Sequence, residues 1–341
     1  MSINGFLRRE ISVGSFAGAA YAIGTAAGGI EKEGAQGHAV AVPLRIPATL
    51  DTLWDCASTT KPLVTTMLIL QAVAEGRIAL DDSIHGFTYR ELLTHTSGLQ
   101  AWLPLYAYGD YLAAILTHGP SYPRGTKVVY SDLNFVLLWY ALRELYGDYV
   151  AAANERIFAK LDIASDAMFQ PSPLLRPRIA ATEWGQRHEV KMCAERHTTA
   201  HGLRTGLIWG ETHDGNSFHA GGTAGNAGLF ATARAMFRMM QAFVRGELVP
   251  RELVAQSIHN YTHGLEENRG LGWQLQSESG AATKMLSVRA FGHTGFTGTS
   301  IWCDPDQSDR IFVLLANRVH PCAAPIAMQS VRGEFHRQAM R

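Results

Sequence analysis

Segments that read as strands cluster at the two ends of this chain, and the long stretch between them does not read as strand. Near the start, the small, glycine-punctuated run "SFAGAAYAIGTAAGG" (residues 15–29) opens a sheet, and a second strand follows around residues 34–42. Near the end come "LGWQLQ", "VRAFGHTG", "GTSIWCDP" and "RIFVLLANR", then a final helix. Between them lie helical pieces: "TYRELLTHTSGL", "GDYLAAILTHG" and "SDLNFVLLWYALRELYG", the last with Ser131 or Asp132 as N-cap and Gly147 as its end. Residues 171–222, rich in Pro, His, Thr and Gly, read as mainly irregular, and "TARAMFRMMQAFVRGE" is an amphipathic helix. Strands at both ends can share a core only in one sheet assembled from both termini. The expected fold class is therefore α/β (α+β). Residues 1–83 and 223–341 would form the sheet domain, flanked by helices, and residues 84–222 an all-helical insertion.

Composition narrows the partners. The 30 Lys plus Arg equal the 30 Asp plus Glu, and no block of like charge occurs, which argues against nucleic acid and against a membrane-seeking face. The most apolar run, residues 62–73, is too short to span a bilayer and contains Thr65 and Thr66. The arginines of "MSINGFLRREISVGS" are not followed by an apolar run of signal-peptide length. Cys56, Cys193, Cys303 and Cys322 lie far apart without zinc-ligand spacing, and read as reduced, mostly buried thiols. The expectation is a cytoplasmic protein with a small-molecule partner and no cofactor or metal. Oligomeric state is not legible.

Within "WDCASTTKPLVTTMLILQAV" (residues 54–73), Ser58 stands three residues before Lys61 at the mouth of a segment apolar nearly all round. Residues 59–75 read as a buried helix, with Pro62 tolerated in its first turn and Gly76 as its stop. Residues three apart share a helix face, so Ser58 and Lys61 would be neighbours. A serine needs a base to become a nucleophile, and desolvation lowers a lysine's pKa towards one. Of the six lysines only Lys61 has a serine three positions earlier, although a helix cap followed by a snorkelling lysine would look the same.

Two further pieces follow in order. Tyr130 lies just before a helix in "YSDLNF", and His293-Thr294-Gly295 lies on a strand in "FGHTGFTGTS". Serine–lysine, tyrosine and strand triplet together resemble the serine β-lactamase and penicillin-binding protein superfamily. The resemblance is to the class C β-lactamase-like branch that includes family VIII carboxylesterases and D-aminopeptidase-like enzymes. "ELLTHTSGL" and "GGTAGNAGLFATA" are also similar to stretches common there. It implies a β-lactamase/transpeptidase-like fold with an antiparallel sheet, Ser58 as acylated nucleophile, and Lys61 as base or proton relay. Tyr130 would be a second general acid/base, and the choice of base between Lys61 and Tyr130 stays open. His293, Thr294 and Gly295 would edge the substrate, and the backbone amides of Ser58 and Phe296 would form the oxyanion hole.

Two departures shift the expected substrate. His293 replaces a lysine, and a neutral histidine does not anchor a substrate carboxylate. Asp132 stands where an asparagine would both donate and accept, and is expected to orient Lys61 or cap its helix. Both favour a carboxylesterase acting on small or medium acyl esters. The alternatives are a β-lactamase, D-amino-acid peptidase or acyltransferase with the same machinery, or a catalytically silent binding module. No Gly-x-Ser-x-Gly occurs, which disfavours an α/β-hydrolase, and Ser97 beside His95 reads as a structural loop. His188, His197, His201, His213, Asp214 and His219 lack metal-ligand spacing and read as loop histidines, with His213 and Asp214 as candidates for the pocket wall. Trp102, Tyr106, Tyr108, Trp184 and Trp209 read as packing or as the wall of an acyl site.

Overall fold

The computed structural model describes residues 2–198, 202–277, 284–322 and 328–341. Among the described residues seven strands form the main sheet: β1 (Gly18–Thr25), β2 (Gly29–Val40), β3 (Ile46–Pro47), β4 (Gln274–Leu275), β5 (Phe291–Thr294), β6 (Ser300–Asp304) and β7 (Arg310–Ala316). Their order is β3-β2-β1-β7-β6-β5-β4, with every pair antiparallel. The first strand of the N-terminal block pairs with the last of the C-terminal block, Ala19 opposite Ala316 and Thr25 opposite Arg310. The two ends of the chain thus close one sheet.

Period-two alternation divides that sheet between two cores. Ala20, Ala22, Ile301, Cys303, Val313 and Leu315 face a large cluster with helix Ala233–Arg245. Ala19, Tyr21, Ile23, Trp302, Phe312 and Leu314 face the other side. There Phe6 and Leu7 of helix Ile3–Ser12 and Val331 and Phe335 of helix Met328–Ala339 cover them. Helix Ala233–Arg245 begins where Thr232 accepts a hydrogen bond from the Ala235 amide (3.1 Å) and ends at Gly246 with φ +76°.

The intervening segment is mostly helix and loop. Its longest helix, Asp132–Tyr146, has Ser131 at its N-cap and ends at Gly147. Short extended pieces also occur, Phe87–Thr88 paired with Ser83–Ile84, and Ala167–Met168 paired with Phe230–Ala231. Residues 171–222 are largely irregular but hold a helix, Arg187–Glu195, that the sequence conceals. Its N-cap Gln186 is left-handed (φ +46°) and offers no side-chain cap, and the polar run "RHEVKMCAE" shows few apolar positions.

The helix expected over 59–75 is built in three parts. A 3₁₀ turn (Ala57–Thr59) leads into a π-helical stretch (Lys61–Thr66), then an α-helix (Met67–Ala74), before Gly76 turns the chain at φ +67°. A segment buried on all sides has no polar stripe to betray its period, so only the existence of the helix was legible. Such π turns, with their i→i+5 bonding, gather at functional sites. Cys56, Cys193 and Cys303 are buried and Cys322 is partly so, all four as free thiols. Among the described residues no helix is long and apolar enough to cross a membrane.

Candidate active site

The Ala57–Thr59 turn that presents Ser58 is held from both sides. The Asp55 carboxylate accepts from the amides of Ala57 (2.8 Å) and His213 (2.7 Å). The hydroxyls of Thr297 and Thr299 donate to the carbonyls of Asp55 (2.7 Å) and Cys56 (3.0 Å). Gly295 closes the contact between β5 and the turn, since a Cβ there would lie 2.6 Å from the Cys56 carbonyl oxygen. Ala57 sits at φ +46°, a conformation costly for a residue with a Cβ, and so strain is stored immediately before Ser58. Asp55, Thr297 and Thr299 carry no motif, and sequence reading passed over them.

Lys61 is fully buried, and its ammonium donates two hydrogen bonds and forms one ion pair. Its Nζ lies 3.0 Å from Ser58 Oγ, 3.0 Å from the Asn226 carbonyl oxygen, and 2.6 Å from Asp132 Oδ1. Burial works against this charge, but Asp132 and then Tyr130 outweigh it, so the Lys61 pKa is held above its ordinary value. This corrects the expectation that burial alone turns Lys61 into a free amine. In the resting site it is an ammonium ion and must pass a proton on before it can accept one. Asp132 is the carboxylate among its three neighbours, and burial pushes its carboxyl upward against the pull of Lys61. Asp132 therefore contacts Lys61 while also opening the helix Asp132–Tyr146.

The Tyr130 hydroxyl is buried beside Lys61 and Ser58, and closes no well-formed hydrogen bond among the described residues. Burial raises its pKa, with Asp132 adding to the rise and Lys61 opposing it, so it rests as a neutral phenol. Its ring is set by His95, 4.8 Å away between centroids. His95 Nδ1 accepts from the Ser131 amide (3.0 Å), and Ser97 donates to Asn134 Oδ1 (2.6 Å). The "HTSGL" loop thus fastens the start of the Tyr130 helix, as its structural reading requires. His293 on β5 is buried, and its Nδ1 donates to the Thr294 carbonyl (2.8 Å). Burial, with Arg269 and Lys61 adding to it, holds its pKa well below the usual histidine value, so the imidazole is neutral. The amide of Phe296 donates to no acceptor among the described residues and stays available to an oxyanion.

Two lobes meet at Ser58, Tyr130 and Phe296. One, of about 190 Å³, is walled by Trp102, Met192, His188, His213, Glu189 and Asp214, with Asp132 near Ser58. The other runs past His293, Thr294 and Gly295 to Arg269, Arg318 and Arg332. Arg269 is paired with Glu267 (3.0 Å), whereas Arg332 is 7 % exposed and has no carboxylate within 4 Å among the described residues. One of its nitrogens donates to the Thr299 carbonyl (3.1 Å), its Nε has no partner among the described residues, and burial pushes its pKa down to about 9. Arginines from other elements thus line the lobe beside His293, and no local motif announces them.

Of the remaining histidines, His219 stacks on Tyr106 at 4.8 Å, His197 sits in a turn at φ +53°, and His201 lies outside the described residues. No group of three metal-ligating side chains occurs among the described residues. Trp102 reaches the site, while Trp209 donates its indole to the Ile179 carbonyl (2.8 Å), and Tyr108 and Trp184 are exposed.

A buried lysine bonded to a serine hydroxyl, a phenol beside both, and an antiparallel sheet in which the end of β5 touches the serine turn define a serine hydrolase of the β-lactamase and penicillin-binding fold. The Beta-lactamase family model matches residues 14–331, and the chain belongs to that family. It is 29% identical over 325 residues to a putative D-alanyl-D-alanine carboxypeptidase of Escherichia coli K12, covering 82% of this chain and 72% of that one. A protein of the same description from Salmonella typhi is 28% identical over 331 residues, covering 84% and 74%. Among solved structures, EstCE1, a hydrolase with promiscuous acyltransferase activity, superimposes with a TM-score of 0.76 at 16% identity, covering 99% of this chain and 97% of that one. A penicillin-binding protein homologue from Caulobacter crescentus gives 0.76 at 19% identity, covering 99% and 95%. The simvastatin synthase of Aspergillus terreus gives 0.73 at 18%, covering 99% and 96%. These three likenesses concern the fold.

Proposed function

We propose that the chain forms an acyl-enzyme at Ser58 on small esters or amides, and that the group beside the arginine lobe is anionic. The observation that carries the first part is the Lys61 ammonium bonded at once to Ser58 Oγ and Asp132 Oδ1, at 3.0 and 2.6 Å. Lys61 gives one proton to Asp132 and takes one from Ser58, so the net transfer runs from serine to aspartate across a single nitrogen. Oγ attacks the carbonyl carbon, and the amides of Ser58 and Phe296 receive the oxyanion. The Tyr130 phenol protonates the leaving group as the carbonyl–leaving-group bond breaks, and Lys61 restores the phenol proton. Asp132 then returns its proton to Lys61. Water attacks the acyl carbon, the bond from that carbon to Ser58 Oγ breaks, and the proton lost by the water passes to Oγ, so the acid leaves with serine, lysine and aspartate restored.

The second part rests on Arg332, a buried cation without a carboxylate partner among the described residues. A terminal carboxylate would satisfy it with charge-assisted hydrogen bonds, and this fits the carboxypeptidase description of the enterobacterial relatives. The neutral His293 favours the second reading, a carboxylesterase of uncharged esters. The two separate on a matched pair of dipeptides or depsipeptides with the amine free, one ending in a free carboxylate and the other in its methyl ester. The proposal expects kcat/KM at least about tenfold higher for the free acid, with Arg332→Gln erasing the preference. Equal or better turnover of the methyl ester would transfer the case to the carboxylesterase.

A further inference from the structure

The smaller lobe contains two carboxylates that the acylation chemistry does not use. Glu189 lines the cavity that holds Ser58, is 5 % exposed, and its buried Oε1 has no hydrogen-bond partner among the described residues. Its other oxygen accepts from the Gln186 amide group, and the Tyr106 hydroxyl lies near enough to support its charge. Gly215 permits this position, because a Cβ there would lie 2.1 Å from Oε1. Asp214, on the same wall, accepts from the Ser217 amide (2.8 Å) with one oxygen.

Among the described residues, neither carboxylate has a lysine or arginine within 4 Å. The guanidinium that acts on both, Arg204, is committed elsewhere: it donates to the Gln186 side-chain oxygen (3.2 Å) and to the carbonyls of Thr212 and His213 (2.6 Å each). His213 is engaged with Glu183 at 2.9 Å, and His188 is kept neutral chiefly by burial. Burial and the neighbouring Asp214 push the Glu189 carboxyl up to about 7, the condition of an acid that lacks its counter-ion. Trp102, Met192 and Phe296 complete the wall, and apolar side chains beside an ion pair strengthen it by lowering the local dielectric.

We infer that this lobe receives a cationic ammonium group on the substrate, paired with Glu189 and Asp214, so that the substrate is an amino-acid-like molecule with its amine here. The cavity of about 190 Å³ is below the usual 300–1,000 Å³ of ligand pockets, which limits the occupant to a small aminoacyl group. The inference rests on the acyl-enzyme reading for its place in catalysis, but the pocket itself is testable without turnover.

In the Ser58→Ala chain, calorimetric titration with D- and L-alaninamide is compared with 2-methylpropanamide, the same shape with a methyl in place of the ammonium. One alaninamide enantiomer should bind at least tenfold tighter than the neutral amide, and Glu189→Gln and Asp214→Asn should each remove most of that advantage. In the chain with Ser58 intact, the ratio of kcat/KM between the p-nitrophenyl esters of alanine and 2-methylpropanoic acid should fall at least tenfold in Glu189→Gln. That ratio does not depend on the folded fraction of each variant. Equal amine affinity in the parent and in Glu189→Gln overturns the pocket. Retained amine selectivity with no turnover of either ester keeps the pocket and counts against the acyl-enzyme reading instead.

Discussion

At the scale of single residues, the behaviour of the site turns on whether Lys61 is charged. Burial alone would lower its pKa, and Asp132 at 2.6 Å reverses the sign. Replacing Asp132 by Asn removes the largest influence that raises it, leaving burial to favour the neutral amine. The limb of the kcat/KM profile that reports deprotonation of Lys61 should then move to lower pH. A profile superimposable on that of the parent would mean that Asp132 does not set the proton inventory of Lys61. The pairing of Ser58 with Lys61 was legible because it rests on local spacing, whereas the charge on Lys61 was not. Charge depends on a residue 71 positions away that a helix start aims back at the ammonium.

Among the elements, the decisive contact is between the end of β5 and the serine turn. Gly295 has the Cys56 carbonyl oxygen 2.6 Å and Thr299 Oγ1 2.0 Å from where a Cβ would stand. Gly295→Ala must therefore push the strand off the turn, at a cost of about 1–3 kcal/mol, and should cut acylation about a hundredfold or more by shifting the Phe296 amide. Melting curves and single-turnover acylation check both, and an alanine variant of normal activity would show that β5 does not build the oxyanion site. Ser97→Ala gives the converse case. It loses a buried hydrogen bond to Asn134, so it should cost about 1–3 kcal/mol yet still acylate, since Ser97 only steadies the Tyr130 helix. Loss of acylation with normal stability would contradict that role. Strands, glycine stops and the helix carrying Tyr130 were readable from period and punctuation. Helix Arg187–Glu195, which supplies Glu189, was not, because it begins without a cap and keeps few apolar positions.

Across the whole molecule, the pairing of β1 with β7 makes the two chain ends a single structural unit. The strand pattern revealed this, since segments at opposite ends had no other partners. What it could not reveal is how elements distant in sequence converge. Arg332 comes from the terminal helix, Asp55 from the strand before the serine turn, and Glu189 from the intervening segment, yet all three surround Ser58. A polar residue announces a function by its spacing only when its partners are close in sequence. Here the serine–lysine step is local, and the polarity of the two lobes is assembled by the fold.

The measurement that bears most directly on this account is the intact mass of the full chain, quenched in acid during turnover of an activated ester, with the adduct mapped by peptide sequencing. A covalent acyl group on Ser58, absent in Ser58→Ala and accumulating at least about a thousandfold more slowly in Lys61→Ala, is the predicted result. Turnover that proceeds without an adduct in either protein, or an adduct on another residue, would contradict it.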